Sequence, residues 1–250
     1  MNGLNNFRIS VVALIVINIT MSTSVNSQNL PAVDQIASAA GNVEIHFIGH
    51  GSLMFRLNDK IVYVDPVKSS GSYDNLPRAD IILVTHEHYD HLDIDLINIL
   101  KKSGTKIFCN TAASAKVPGS ASMKAGDSQT VGNITIEAVT AYNIVNERSP
   151  GQPFHPRGSG VGYIIGFGGK RIYVAGDTEN TPEMKALKNI DIAFLPMNLP
   201  YTMTPAMVAD GAKAFKPRIL YPYHFGDTNT DEIVTLLKDT GIEVRIRNLK

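Results

Sequence analysis

Ile81-Ile82-Leu83-Val84-Thr85-His86-Glu87-His88-Tyr89-Asp90-His91 is the stretch on which the reading of this chain turns. Its first four residues are a continuous apolar run, the pattern of a strand buried on both faces. The next seven hold three imidazoles and two carboxylates, Glu87 and Asp90. Along an extended chain, alternate side chains share a side, so His86 and His88 point the same way. Asp90 and His91 come from the turn that follows. The string therefore offers two donors to one metal ion and two to a neighbour. Nitrogen and oxygen donors without sulfur suit Zn²⁺ first, with Mn²⁺ or Fe as alternatives. A solvated His-rich loop is the plain alternative, but imidazoles at this density beside a strand end serve no packing purpose.

Working outward, two further donors stand just past other strands. Asp177 lies in Ala175-Gly176-Asp177-Thr178, after the strand expected over Arg171–Ala175, and a carboxylate there can bridge two ions. His224 lies in Tyr221-Pro222-Tyr223-His224, after a strand expected over Ile219–Tyr221. Taken alone, each would be an ordinary turn aspartate or a half-buried histidine. His50, in the glycine-rich turn Gly49-His50-Gly51-Ser52, is expected to line the cavity or to brace a ligand. Asp65, before Pro66 at a strand end, is a candidate brace for a ligating imidazole, with a turn residue as the alternative. Both also count as possible extra ligands.

The remaining elements alternate. Val43–Ile48, Leu53–Leu57 and Ile61–Val64 read as an antiparallel meander. Asp93 reads as the cap of a helix over Ile94–Lys102, followed by a strand at Lys106–Cys109. Strands are expected at Ile134–Thr140, Val161–Phe167 and Ile192–Leu195, with Gly168-Gly169 as a hairpin turn. Helices are expected over Glu183–Leu187, from Thr204-Pro205 to Phe215, and over Asp231–Lys238, with a last strand at Ile242–Ile246. Tyr142–Gly160 is rich in Pro, Gly and Asn, and long loops of this kind tend to be functional.

Composition narrows the classes. Lys plus Arg and Asp plus Glu number 23 each, so no basic field exists to hold nucleic acid. The single cysteine, Cys109, excludes an internal disulfide and a thiolate-rich zinc site, and its apolar strand makes it a buried packing residue. Ile9–Met21 holds ten apolar residues of thirteen behind Arg8. That is too short for a membrane span and the right size for the core of a secretory signal. The expected division is a signal peptide at 1–27, a linker at 28–42 and a hydrolase domain at 43–250, with export to the periplasm or the exterior. No stable membrane span is expected in the mature chain. Removing 1–27 removes one base and no acid, which leaves 22 bases and 23 acids, a net charge of −1. Nothing in the pattern specifies an oligomer.

Gly49-His50-Gly51-Ser52, Asp65-Pro66, the 85–91 string, Gly176-Asp177-Thr178, Tyr201-Thr202-Met203 and Pro222-Tyr223-His224 occur in an order and spacing that resemble the metallo-β-lactamase fold superfamily over residues 43–247. Within it, the chain is similar to the small metal-dependent hydrolases that include the ascorbate-6-phosphate lactonases. The resemblance implies an α/β fold, a four-layer αβ/βα sandwich of two mixed sheets with outer helices and metals at one edge. It implies that His86 and His88 serve a first ion, that Asp90, His91 and His224 serve a second, and that Asp177 bridges them. It also implies that Tyr201 and Met203 line the cavity mouth.

One departure stands out. Such relatives supply a further histidine to the first ion just after the strand matching Ile134–Thr140, where this chain reads Ala141-Tyr142-Asn143. Either His155 substitutes as ligand or substrate contact, or Asn143 coordinates weakly or holds a water, or the first site binds less tightly. The first reading is preferred here. Arg148 and Arg157 flank the same loop and are candidates for meeting an anionic substrate.

The chemistry expected is hydrolysis. Divalent ions lower the pKa of bound water toward ~7 and polarise a carbonyl or phosphoryl group. Asp90 is expected to orient that hydroxide and shuttle its proton. The substrate is then a small-molecule ester, lactone, amide or phosphodiester. A phospholipid-type phosphodiesterase and a metal- or ligand-binding module with little turnover are the alternatives. An antibiotic-cleaving lactamase, a flavodiiron-like redox protein and a nuclease fit less well. The last two lack their usual extra domains, and the nuclease also lacks a basic cleft.

Overall fold

A computed structural model describes Met1 and residues 32–250 of the chain. Apart from Met1, the expected signal segment lies outside the described residues.

The first sheet is built by β1 (Ala32–Ser38), β2 (Gly41–Gly49), β3 (Ser52–Leu57), β4 (Lys60–Val64), β5 (Ala79–Val84), β6 (Lys101–Cys109) and β7 (Ala121–Ser122), side by side in that order. The first four are antiparallel neighbours, and β4 to β7 run parallel. The second sheet holds β8 (Ser128–Val131), β9 (Ile134–Ala141), β12 (Gly160–Phe167), β13 (Lys170–Val174), β14 (Ile192–Pro196), β15 (Ile219–Tyr223) and β16 (Glu243–Val244). It repeats the plan: antiparallel from β8 to β13, then parallel to β16. A small hairpin, β10 (Glu147–Ser149) and β11 (Gln152–Pro153), interrupts the loop between β9 and β12.

The continuous apolar run of β5 has a direct cause. Ile81 and Leu83 face a core shared with the second sheet, including Tyr163, Ile165 and Phe194. Ile82 and Val84 face the other way, onto Leu96, Ile97 and Leu100 of α1 (Ile94–Leu100). A short helix, α2 (Thr111–Ser114), lies on this same outer side through Ala113. The second sheet is covered by α3 (Pro182–Lys185), α4 (Pro205–Phe215) and α5 (Asp231–Leu236), which contribute Met184, Val208, Phe215 and Ile233 to the core. The layers are helix, sheet, sheet and helix, as the sequence implied. Cys109 is fully buried, and burial pushes its thiol up to about 12.

Three boundaries differ from expectation. Residues 32–42, read as linker, form β1 and the turn into β2, and β1 pairs with β2 along its whole length. Alternating exposed and half-buried residues at this sheet edge gave no apolar signal. Helix α1 ends at Leu100, and β6 begins at Lys101 rather than Lys106 because its first residues are exposed and polar. The final strand shrinks to Glu243–Val244, since the arginines that follow turn toward Asp34.

Asp34 fastens β1 to the opposite sheet. Its carboxylate accepts from Tyr221 Oη at 2.6 Å, Arg245 Nη1 at 3.0 Å and Arg247 Nη2 at 2.7 Å. Burial alone would raise its pKa, but these donors outweigh burial and lower it. Asp34→Ala is expected to cost about 1–3 kcal/mol near neutral pH, a loss read by urea unfolding. The wild-type advantage is fully present above the ordinary carboxylate value and disappears as pH falls through the lowered pKa. An unchanged gap between wild type and D34A at acid pH would refute this assignment.

Candidate metal centre

Every donor named in the sequence lies at one edge, where strands end. Asp65 follows β4, the 86–91 string follows β5, Asp177 follows β13 and His224 follows β15. All four of these strands are in parallel pairs, whose carboxyl ends are the usual ligand edge of an α/β sheet. The His88 carbonyl accepts from the N–H groups of His91 and Leu92, which closes the turn that swings Asp90 and His91 inward. Three residues at this edge take the left-handed backbone: His50 (φ 51), Asp65 (φ 44) and His224 (φ 47). Such conformations cost about 1–3 kcal/mol each and persist where surrounding contacts enforce them. Gly176 is required by space, because a Cβ there would lie 2.9 Å from the Val161 carbonyl oxygen.

The donors fall into overlapping groups whose ligand atoms lie within 4.8 Å of one another: His86, His88 and His155; His50, Asp90, His91 and His224; His86, His91 and Asp177. Asp177 sits between. Its Oδ2 is 3.3 Å from His155 Nε2, 3.6 Å from His224 Nε2 and 3.8 Å from His86 Nε2. Its Oδ1 is 3.3 Å from His91 Nε2. Asp90 Oδ2 lies 3.5 Å from His224 Nε2 and 3.3 Å from His50 Nε2. Donors at about 2.1 Å from a tetrahedral ion stand about 3.4 Å from each other, so these separations are those of a coordination shell.

The hydrogen-bond ledger supports a metal. His86 Nε2, His91 Nε2, both nitrogens of His224 and Asp177 Oδ1 are buried without a hydrogen-bond partner among the described residues. Buried polar atoms are rarely left unpaired, and four of these (His224 through Nε2 alone) converge on one space, as the donor set of a metal site would. Their partners on the far side are in place. His91 Nδ1 is 2.8 Å from Asp65 Oδ2, which also accepts from Thr85 Oγ1 at 2.7 Å. Thr85 Oγ1 is in turn 3.0 Å from His86 Nδ1. One fully buried carboxylate thus aims two imidazoles, as expected of an outer brace on metal ligands.

Electrostatics separate the groups. Burial, with positive neighbours, pushes His86 well below the usual imidazole range, and burial lowers His155. Burial opposes ionisation of Asp177, but the imidazoles of His224, His91 and His86 hold it well below the carboxylate range. Burial opposes charge on His91 too, yet Asp177 and Asp65 hold it well above its ordinary value. Burial would raise Asp90, and the neighbouring imidazoles of His224 and His50 instead hold it far down. His86 and His155 are thus held neutral beside ionised carboxylates, the donor state that divalent ions require, whereas His91 has to release a proton on binding one.

The departure at Asn143 has a structural answer. Asn143 Oδ1 accepts from the His155 backbone N–H and lies 2.8 Å from His155 Nδ1. Its oxygen is engaged by His155, a contact that braces that ring. His155 Nε2 joins His86 and His88. His50 bridges outward, with Nδ1 3.3 Å from the Lys250 carbonyl oxygen.

Glu179 went unnoticed in the sequence. Fully buried, it accepts backbone N–H groups from Ile144, Val145 and Asn146 at 2.7 Å each, and the Asn143 side-chain amide at 3.1 Å. It locks the loop that carries Asn143. Its only sequence signal was its place two residues after Asp177. Met203 is buried in the core and does not line the mouth, whereas Tyr201 does. Arg157 pairs with Glu183 and lies over the Tyr142 ring, away from the cavity. The cavity, about 470 Å³, is lined by His50, His88, Asp90, His155 and Arg148, among others.

Residues 44–224 match the family model of the beta-lactamase superfamily domain. The chain belongs to that superfamily. A UPF0173 metal-dependent hydrolase of Thermococcus kodakarensis is 33% identical over 195 residues, spanning 73% of this chain and 84% of the relative. Another, from Anaeromyxobacter dehalogenans, is 32% identical over 243 residues, covering 85% and 86%. A crystal structure from Parabacteroides distasonis, of a protein named as a metal-dependent hydrolase, superposes with a TM-score of 0.84 at 48% identity, covering 88% of this chain and 99% of that one. This member of the metallo-β-lactamase superfamily is a metal-dependent hydrolase. Asp65→Asn is expected to lower metal affinity about 10–100-fold in a chelator-competition titration. Wild-type affinity in D65N would show that Asp65 does not orient the ligands.

Proposed function

We propose that this hydrolase cleaves an ester, lactone, amide or phosphodiester of a small molecule with two divalent ions, zinc foremost. The single observation that carries the proposal is the convergence of the unpaired donor atoms of His86, His91, His224 and Asp177 at the cavity floor. In this reading His86, His88 and His155 hold one ion, Asp90, His91 and His224 hold the other, and Asp177 lies between. Ions bound there supply a nucleophilic water at neutral pH and a Lewis acid for the scissile group.

The chain's own residues do the rest. Asp90 is the only ligating carboxylate with appreciable exposure, its side chain 27% accessible against 4% for Asp177. Its Oδ2 orients the attacking water and accepts its proton. His50 holds that carboxylate in place from the outer side. Tyr201 and Phe154, edge to face at 5.1 Å, wall the cavity and limit access of bulk water. Within the proposal, the chain acts after export, supported by the Arg8 and Ile9–Met21 pattern. The nitrogen and oxygen donor set without sulfur supports zinc, manganese or iron over softer-ligand metals.

Stripping metal with a chelator is expected to cut turnover on a panel of lactones, aryl esters and phosphodiesters by more than about 100-fold. Adding back one metal at a time should restore it. Asp177→Asn is expected to lose both metal content and turnover. Undiminished hydrolysis by protein shown metal-free by elemental analysis would overturn the proposal.

A further inference from the structure

The loop that runs from Asn143 to the cavity-lining Arg148 exposes apolar side chains on a backbone that is firmly braced. Ile144 is 51% exposed and Val145 71%, although the backbone N–H of each is bound by buried Glu179. This loop is tied to the opposite rim. Asn143 Nδ2 donates to the Tyr201 carbonyl at 2.9 Å, and Asn146 Nδ2 to the Thr202 carbonyl at 2.8 Å. The segment it is tied to exposes Leu199 (49%) and Tyr201 (46%), and Tyr201 and Tyr89 (87% exposed) line the cavity. Exposed single hydrophobics are ordinary, but a braced group around one opening marks a contact surface. A loop fixed in this way pays little ordering entropy when a ligand lies on it.

The same cavity contains a single basic side chain apart from its histidines. Arg148 lies over the Phe154 ring, 5.7 Å from its centroid, and makes no ion pair among the described residues. Arg157, by contrast, is paired with Glu183. A guanidinium held on an aromatic face beside an apolar rim is a receptor for one anionic group on an otherwise aliphatic molecule. The overall balance of 23 bases and 23 acids gives no attraction for an anionic membrane, so the rim serves a single ligand rather than a lipid surface.

We propose that the substrate is an amphipathic monoanion. Its acidic group pairs with Arg148. Its aliphatic portion lies on Ile144, Val145, Leu199 and Tyr201. Its scissile carbonyl or phosphoryl group then faces the donor cluster, a placement that rests on the hydrolytic reading above, while the binding claim does not.

The test uses the full-length metal-loaded protein and calorimetry with octanesulfonate, methanesulfonate and octanol, sulfonate being a weak metal ligand. Octanesulfonate is expected to bind at least about tenfold more tightly than methanesulfonate, through the buried chain. Arg148→Gln is expected to weaken octanesulfonate about tenfold relative to octanol, with partial recovery in Arg148→Lys. Val145→Asp should erase the chain-length preference without changing metal content. Equal affinity for the two sulfonates, or an octanesulfonate-to-octanol ratio unmoved by R148Q, would overturn the proposal. Turnover of the ester panel is scored separately, so a protein that shows this binding pattern and hydrolyses nothing would refute hydrolysis and not the ligand class.

Discussion

A buried donor atom that faces only other donors is the constraint around which this molecule is arranged. His86 Nε2, His91 Nε2, His224 Nε2 and Asp177 Oδ1 have left water and have no hydrogen-bond partner among the described residues. Each such atom carries an unmet desolvation cost of about 1–3 kcal/mol. A divalent ion removes that cost by accepting their lone pairs. The outer contacts are satisfied in advance: Asp65 on His91 and Thr85, Thr85 on His86, Asn143 on His155. The ligand set is therefore oriented before any ion arrives, and the cost of assembling it is met by the fold.

The fold supplies that orientation through a repeated plan. In each half an antiparallel run passes into parallel strands, and the parallel strands deliver donors from their carboxyl ends. The ends of β4 and β5 carry Asp65 and His86. The ends of β13 and β15 carry Asp177 and His224. The shared core between the sheets, to which Ile81, Leu83, Tyr163 and Phe194 contribute, fixes the two sets of ends relative to each other. Backbone strain at His50, Asp65 and His224 is tolerated because strand pairing and the core surround it.

Much of this was legible in the residues. His86-x-His88-x-Asp90-His91 after a buried strand could serve little purpose other than metal binding, and Asp177 and His224 were found because each followed a strand. What escaped was set by partners distant in sequence. β1 has no apolar face of its own, being an edge strand fastened through Asp34 to arginines more than two hundred residues later. Glu179 resembles any glutamate in a turn until the loop at 144–146 is folded over it. The sequence leaves Asn143 open as a weak ligand or a brace beside a preferred His155, and the contact of its oxygen with His155 is a relation that only the return of the long loop creates. Local pattern revealed which side chains could bind metal, while the contacts that aim them come from the tertiary fold.

The proposed pair of ions at this edge can be seen by anomalous diffraction from crystals grown with zinc or manganese. Two peaks about 3.5–4 Å apart are expected, one at His86, His88 and His155, the other at Asp90, His91 and His224, with Asp177 between them. A crystal with neither peak, or with ions bound only away from these residues, would contradict it.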